Sequence, residues 1–382
     1  MKQWLRWAVL FGLLAVAAAM TPFGLALSYQ VRGGLLLEQV SRDLLPDGAW
    51  ENCELTANVT VNSQRQLFDA IDHLNSALKV NPTLAHAHLL LGRAYCLLGD
   101  TQNAINAYLT YTNQRPSNPL GHLELGFAYQ ASGDSTATVS AWQAAGLGVG
   151  DFLEVGDTMT RVQQFNKAIV WYNRALSIQP GLADAWYALG LTNQRQSQWQ
   201  AAVDAYSAAL EANVWQSIQV GDVYYRLGQI YQNASEYQDL EKALEMYAAA
   251  LDSGVFSLEA AQADIYYKRG EIFTWLGRSP EECIAQFRQA LLLDPGHFWA
   301  HLRLGQALYQ ASGEVEPAVF EVQQAIDNWP AAQNQVLPYQ VLGDIYRDAG
   351  MIAEAVTAYK DALQIDPQNE VVQQRLEELG EK

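Results

Sequence analysis

Glycine returns along this chain at a nearly fixed interval, and that interval limits the fold more than any other feature. Gly92, Gly126, Gly156, Gly190, Gly228, Gly270, Gly305 and Gly343 follow one another at spacings of 34, 30, 34, 38, 42, 35 and 38 residues, most of them preceded by leucine. A period of this length belongs to a stack of small units, none of which can bury its apolar face alone. It argues against the two or three separate globular domains that 382 residues would otherwise allow.

The sequence around each glycine shows what the unit is. The clearest copy reads Tyr339-x-x-Leu342-Gly343-x-x-Tyr346, then Gly350, Ala355, Tyr359, Ala362 and Pro367. Others read Trp186-x-x-Leu189-Gly190 with Ala202, Tyr206 and Ala209, and Leu91-Gly92-x-x-Tyr95 with Gly99, Ala104, Tyr108 and Pro116. Bulky residues at i, i+3 and i+7 form one apolar stripe on a first helix. The small Gly and Ala positions let a second helix approach closely, a second Gly suits the end of the first helix, and Pro stops the second.

This pattern resembles the tetratricopeptide repeat. The resemblance implies an all-α fold, a tetratricopeptide α-solenoid of about eight helical hairpins in a right-handed superhelix. The units are expected to start near Ala85, Pro119, Val149, Ala183, Gly221, Ala263, Phe298 and Val336, so that the eight repeats fill residues 85–369. Residues 64–84 carry only a second-helix signature (Ala70, Leu74, Ala77, Pro82) and are expected to be a degenerate N-terminal repeat. Residues 370–382 read as a charged amphipathic capping helix, because the last repeat of a solenoid exposes an apolar face. The apolar inter-repeat links Val214-Trp215, Val255-Phe256 and Trp329-Pro330 read as packing against the next helix.

Ahead of the repeats, residues 7–31 contain no charge, and Lys2 and Arg6 precede them. A helix of roughly 20 residues crosses a bilayer core of about 30 Å. Residues 1–32 are therefore expected to hold a transmembrane signal-anchor, with the membrane met through residues 7–27, and residues 33–63 a connector with a short amphipathic helix at Leu35–Leu45. The positive-inside rule keeps the N-terminus cytoplasmic and the repeats extracytoplasmic. The alternative is a cleaved signal peptide ending at Ala17-Ala18-Ala19, which makes the product secreted or periplasmic.

Composition and motifs narrow the chemistry. With 23 basic and 41 acidic residues the net charge is −18, so nucleic acid is not expected as a partner. Cys53, Cys96 and Cys283 fit neither a disulfide framework nor zinc spacing, and Cys96 and Cys283 read as small packing residues. There is no phosphate loop, no Gly-x-Ser-x-Gly and no His-Glu-x-x-His, and His301 falls on an inward position of its repeat. No cofactor, no metal and no enzymatic activity are expected.

The resemblance implies that first helices line a concave groove, exposing the second, fifth, ninth, twelfth and thirteenth positions of each repeat. Transferred to this chain, these give Asp184, Tyr187, Gln194 and Arg195; Asp222, Tyr225, Gln229, Gln232 and Asn233; Asp264, Tyr267 and Trp275; and Trp299, Gln306 and Tyr309. Rings give rigid contact area and amides give adaptable hydrogen bonds, which suits a peptide or a saccharide. The lysine clamp of chaperone-binding members has no counterpart at the fifth positions. The asparagine ladder of sugar transferases is absent at the sixth, which read Leu90, Glu124, Glu154, Ala188, Arg226, Lys268, Arg303 and Val341. The expected function is a non-catalytic, membrane-anchored scaffold for a protein or peptide partner. The alternatives are a cell-envelope glycan-assembly accessory that binds saccharide or a glycosyltransferase, and an organelle-surface targeting receptor.

Overall fold

The computed structural model describes residues 21–44, 53, 59–257, 260–330 and 336–380. Among them the chain forms nineteen helices and no strand, apart from one isolated parallel bridge between Leu182 and Val214. It divides into two compact units, residues 1–158 with 170–180, and residues 159–169 with 181–382.

The first unit holds α1 (Pro22–Leu44), α2 (Val61–Val80), α3 (Ala85–Leu98), α4 (Thr101–Gln114), α5 (Pro119–Ser132) and α6 (Ser135–Ala144), with most of α7 (Val149–Arg161) and α8 (Phe165–Ile178). Helices pair as hairpins, α1 with α2, α3 with α4, and α5 with α6. Gly99 and Gly133 end α3 and α5 at φ of 73° and 80°, the left-handed conformation that closes a helix and costs glycine nothing. The aspartates that follow, Asp100 and Asp134, accept from the backbone N–H groups of Asn103 and Ala137 and so start the second helices.

Each hairpin is closed by the recurring glycine. A methyl group on Gly92 would lie 2.3 Å from the Tyr108 ring, one on Gly126 2.3 Å from Trp142, and one on Gly156 2.5 Å from Tyr172. Around Trp142 the rings of Phe127, Phe152 and Trp171 pack with centroids 4.8 to 6.4 Å apart. The buried Arg174 guanidinium lies 4.4 Å from the Phe127 centroid and 4.3 Å from that of Trp171.

Two expectations for the N-terminal region need correction. The second-helix signature of residues 64–84 is not alone, because α1 supplies its partner. Gly33 sits against Leu74 and the Ala70 carbonyl, where an added methyl would approach to 2.8 and 3.0 Å, and Leu37 and Val40 join a core with Leu67, Ala70 and Leu74. The connector expected from residue 33 is therefore helical as far as Leu44, and the short helix expected at Leu35–Leu45 is the second half of a longer one. Two of the cysteines also differ from expectation, since Cys53 and Cys96 form a disulfide across 43 residues of sequence, while Cys283 is free and packed in the core with Phe287 and Ala290.

The expected span Trp7–Leu27 lies outside the described residues except for its last part, which is the start of α1. Among the described residues no helix is long and apolar enough to cross a membrane.

The second unit holds α9 (Ala183–Arg195), α10 (Trp199–Glu211), α11 (Val220–Asn233), α12 (Leu240–Ser253), α13 (Ala260–Trp275), α14 (Pro280–Leu293), α15 (Phe298–Ser312), α16 (Val315–Asn328), α17 (Val336–Asp348), α18 (Ile352–Ile365) and α19 (Glu370–Glu378). The same contact recurs: Gly190 on Tyr206, Gly228 on Tyr247, Gly270 on Phe287 and Gly343 on Tyr359. In this unit the hairpin of α15 and α16 uses a smaller residue, Val322 against Gly305. Helix α19 buries Val372 and Leu376 against Tyr359 and Ala362. Of the apolar links, Trp329 is buried and Trp215 and Phe256 are half-buried, whereas Val255 faces solvent and departs from the inward packing expected of it.

Replacing Gly190 by alanine should lower stability by about 1–3 kcal/mol, since the new methyl would meet Tyr206 at 2.7 Å. Gly150→Ala, with nothing within 4 Å of the added carbon, should leave the melting temperature unchanged or raise it. Thermal melts followed by circular dichroism check both.

Candidate functional site

The fifteen residues predicted to line the groove all lie in the second unit, on α9, α11, α13 and α15. The structure sorts them into three groups by what their side chains do.

The first group is committed to the fold. Asp184 is buried, and its carboxylate accepts from the backbone N–H groups of Gln216 (3.0 Å), Ser217 (2.8 Å) and Ile218 (3.3 Å) and from the Ser217 hydroxyl. It ties down the loop between one hairpin and the next. Asp222 repeats the arrangement, accepting from the Ser257 amide and hydroxyl and from the backbone of Gln219 at the head of its own helix. Gln232 is buried and takes the Tyr247 phenol at 2.7 Å; Gln194 takes the Tyr206 phenol at 2.8 Å. Tyr267 is buried between Phe287 and His297, with centroids 6.2 and 5.0 Å away. Asp184, Asp222, Gln232 and Tyr267 are thus not the exposed groove residues the repeat positions suggested.

The second group forms a partly exposed polar network that crosses from hairpin to hairpin. Arg226 donates from Nε to the Tyr187 hydroxyl at 3.2 Å and from its guanidinium to Gln229 at 3.0 Å. Tyr225 donates to Asp264, which lies 3.8 Å from His297 Nε2 and 3.9 Å from Lys268 Nζ. Arg303 lies 3.7 Å from Glu271 and donates to Gln306 at 3.0 Å. Burial raises the Tyr225 phenol above its ordinary range, and Asp264 beside it raises it further. Burial alone would push the Asp264 carboxyl up, but His297 and Lys268 hold it below the usual carboxylate range.

The third group faces solvent: Arg195, Asn233 and Trp275, the last 51% exposed. Trp299 and Tyr309 are half-buried, with Trp299 packed 4.7 Å from the Trp329 ring.

The sequence reading missed the weight of the sixth positions. Arg226, Lys268 and Arg303 stand two residues before the repeat glycine on three successive first helices, and each enters the network. Three cations in register in a chain of net charge −18 were the available signal. Among the described residues no group of three or more His, Cys, Asp or Glu is placed to hold a metal ion.

Successive helical hairpins that carry polar side chains on their first helices define a helical-repeat protein. The family described as TPR repeat matches residues 92–133 and 156–197, and that described as tetratricopeptide repeat matches residues 336–369, so those three segments are similar to tetratricopeptide repeats. Among solved structures it is similar to Pseudomonas aeruginosa PilF (18% identity, 60% of this chain and 97% of that one, TM-score 0.48). PilW, a type IV pilus biogenesis factor, gives 14% identity over 60% of this chain and 98% of that one at TM-score 0.47. The Cut9–Hcn1 assembly gives 15% over 92% and 66% at TM-score 0.45. No curated protein matches the chain.

The Asp184 carboxyl lies below the usual carboxylate range. Burial opposes this, but the Ser217 hydroxyl and the three backbone N–H groups outweigh it. A depressed folded-state value contributes stability that is present above the unfolded value, about 3.9, and is lost as the pH falls through the folded one. Asp184→Asn is therefore expected to lower the melting temperature at pH 7 and to flatten its decline at acid pH. Melts from pH 7 to pH 3 read the difference.

Proposed function

We propose that the chain is a non-catalytic scaffold that holds a protein partner on the first helices of its second unit. One observation carries this reading: the network of Tyr187, Arg226, Gln229, Tyr225, Asp264, Lys268, Glu271 and Arg303 links successive hairpins yet leaves its members half-buried. Core residues would be covered and purely solvating residues would not be held in place. Preorganised, partly dry polar groups bind at lower entropic cost than mobile ones. Trp275, Arg195 and Asn233 add exposed contacts beside the network.

The scaffold is further proposed to be displayed from a membrane on its extracytoplasmic side. The uncharged stretch of residues 7–31 behind Lys2 and Arg6 supports the anchor. The Cys53–Cys96 disulfide supports an oxidising compartment, where such bonds persist.

Affinity capture from detergent-solubilised native membranes tests the binding reading. The full chain is compared with a Trp275→Ala, Gln306→Ala, Arg195→Ala variant, whose altered side chains lie outside the fully buried core. The variant is expected to melt like the wild type and lose its partner at least tenfold. Equal recovery by both would remove the partner from this face, and specific retention of an envelope saccharide in place of protein would favour the glycan-assembly alternative. Resistance to alkaline carbonate extraction, with a Cys53–Cys96 peptide pair recovered without reductant, is expected for the proposed location. Release into the supernatant, or two free thiols in protein from the native source, would overturn it.

A further inference from the structure

The half-buried cations of this unit differ from those that serve packing elsewhere in the chain. In the first unit, Arg93 is answered by a buried carboxylate, its Nε donating to both Glu124 oxygens at 3.0 Å. At the end of the second unit, Arg347 donates to Asp348 at 2.9 Å, and Arg375 is paired with Asp344. Arg226 has no carboxylate partner among the described residues: a phenol and an amide hold it, through Tyr187 and Gln229, and neither neutralises its charge. Lys268 and Arg303 meet Asp264 and Glu271 only at 3.9 and 3.7 Å, beyond hydrogen-bond length. Asp264 is shared further with Tyr225 and His297. Three cations therefore face two carboxylates, one of them divided among several donors. Both Lys268 and Arg303 keep part of their side chains in solvent, 17% and 35%.

The three stand at the same register, two residues before Gly228, Gly270 and Gly305, so one projects from each of three consecutive first helices. Helix α11 touches α13, and α13 touches α15. Packed helices lie about 8–10 Å apart. An extended peptide rises about 3.3 Å per residue, so neighbouring cations are spaced by about three peptide residues. A guanidinium with donors to spare and its plane fixed suits a carboxylate, which it can hold through two parallel bonds.

We infer that Arg226, Lys268 and Arg303 form a basic row that takes an acidic, extended segment of the protein partner, with a carboxylate about every third residue. This rests on the reading that the face binds protein, and it names the chemistry of that partner. Arg226 contributes most, because no internal carboxylate competes for it.

Fluorescence anisotropy on the full chain in detergent micelles tests the row. The probe is a labelled twelve-residue peptide with glutamate at positions 3, 6 and 9 in a Gly/Ser/Tyr background. Its comparators carry glutamine or lysine at those positions, and an oligogalacturonate supplies an anionic saccharide. The glutamate peptide is expected to bind at least tenfold more tightly than the glutamine and lysine peptides, and to weaken as salt rises. Arg226→Gln should weaken it about tenfold, with Arg226→Lys intermediate because it keeps the charge and loses the planar fork. Should Arg226→Gln fail to fold, a Lys268→Gln, Arg303→Gln double variant carries the same expectation.

Equal or tighter binding of the lysine peptide would overturn the inference, as would tighter binding of the oligogalacturonate, or wild-type affinity in variants that melt normally. If the capture variant loses its native partner while the glutamate peptide shows no preference, the scaffold reading stands and the acidic segment falls. If the capture variant keeps its partner, the scaffold reading falls first.

Discussion

The close approach of a helix backbone, at glycine, to a large ring on its partner helix is the contact on which the rest of this molecule depends. Five of the recurring glycines meet an aromatic residue sixteen positions later, at Tyr108, Trp142, Tyr172, Tyr206 and Tyr359. Any side chain in place of the glycine would overlap the ring, so the two residues select each other. Where the ring is a tyrosine, the fold incurs a second demand, because a buried hydroxyl without a partner costs about 1–3 kcal/mol. At four of the five tyrosines the first helix answers it, with Asp157 for Tyr172, Gln194 for Tyr206, Gln232 for Tyr247 and Asp344 for Tyr359, while Tyr108 meets Glu124 of the following hairpin. A packing decision on the second helix thereby fixes polar residues on the first.

That coupling explains why the architecture was legible in the sequence and the candidate site only partly so. The glycine period, the small positions and the terminal glycines repeat because every hairpin needs them, and they locate the hairpins to within about three residues. The same repetition misleads at the face. A glutamine at the twelfth position looks like an exposed amide, yet Gln232 is spent on Tyr247. An aspartate at the second position looks like a groove acid, yet Asp184 and Asp222 hold the loops that follow their hairpins, through Ser217 and Ser257. Position in a repeat states where a side chain starts; burial and partners are set by what the next hairpin brings to it.

The first hairpin was hidden for a related reason. Gly33 and Leu74 make the same kind of approach, but with an aliphatic partner 41 positions away. The one phenylalanine of the second helix, Phe68, is exposed and plays no part in the contact, and the long connection removes the spacing that identifies every other unit. The disulfide was illegible because spacing says nothing of which cysteines meet in space. Cys53 lies in that connection and Cys96 on α3, and the bond fastens the connection to the hairpin that follows. Closing a loop of this length restricts the unfolded chain, so the connection contributes to the stability of the unit through Cys53.

The charge distribution separates two scales of recognition. The whole chain carries −18 and repels acidic molecules at a distance, although at physiological ionic strength that field decays over about 8 Å. Within the row of Arg226, Lys268 and Arg303 the balance is locally positive, and the partly buried groups there are screened less than surface charges. An acidic segment is therefore disfavoured until it reaches contact and favoured once its carboxylates match the spacing of the hairpins. Basic chains experience the opposite sequence, drawn toward the protein and then placed against cations. Under this arrangement the long-range field discourages polyanions that cannot make the short-range match, which is selectivity through repulsion as much as attraction. It also gives the spacing of the first helices, set by the glycine contacts, a direct role in choosing the partner.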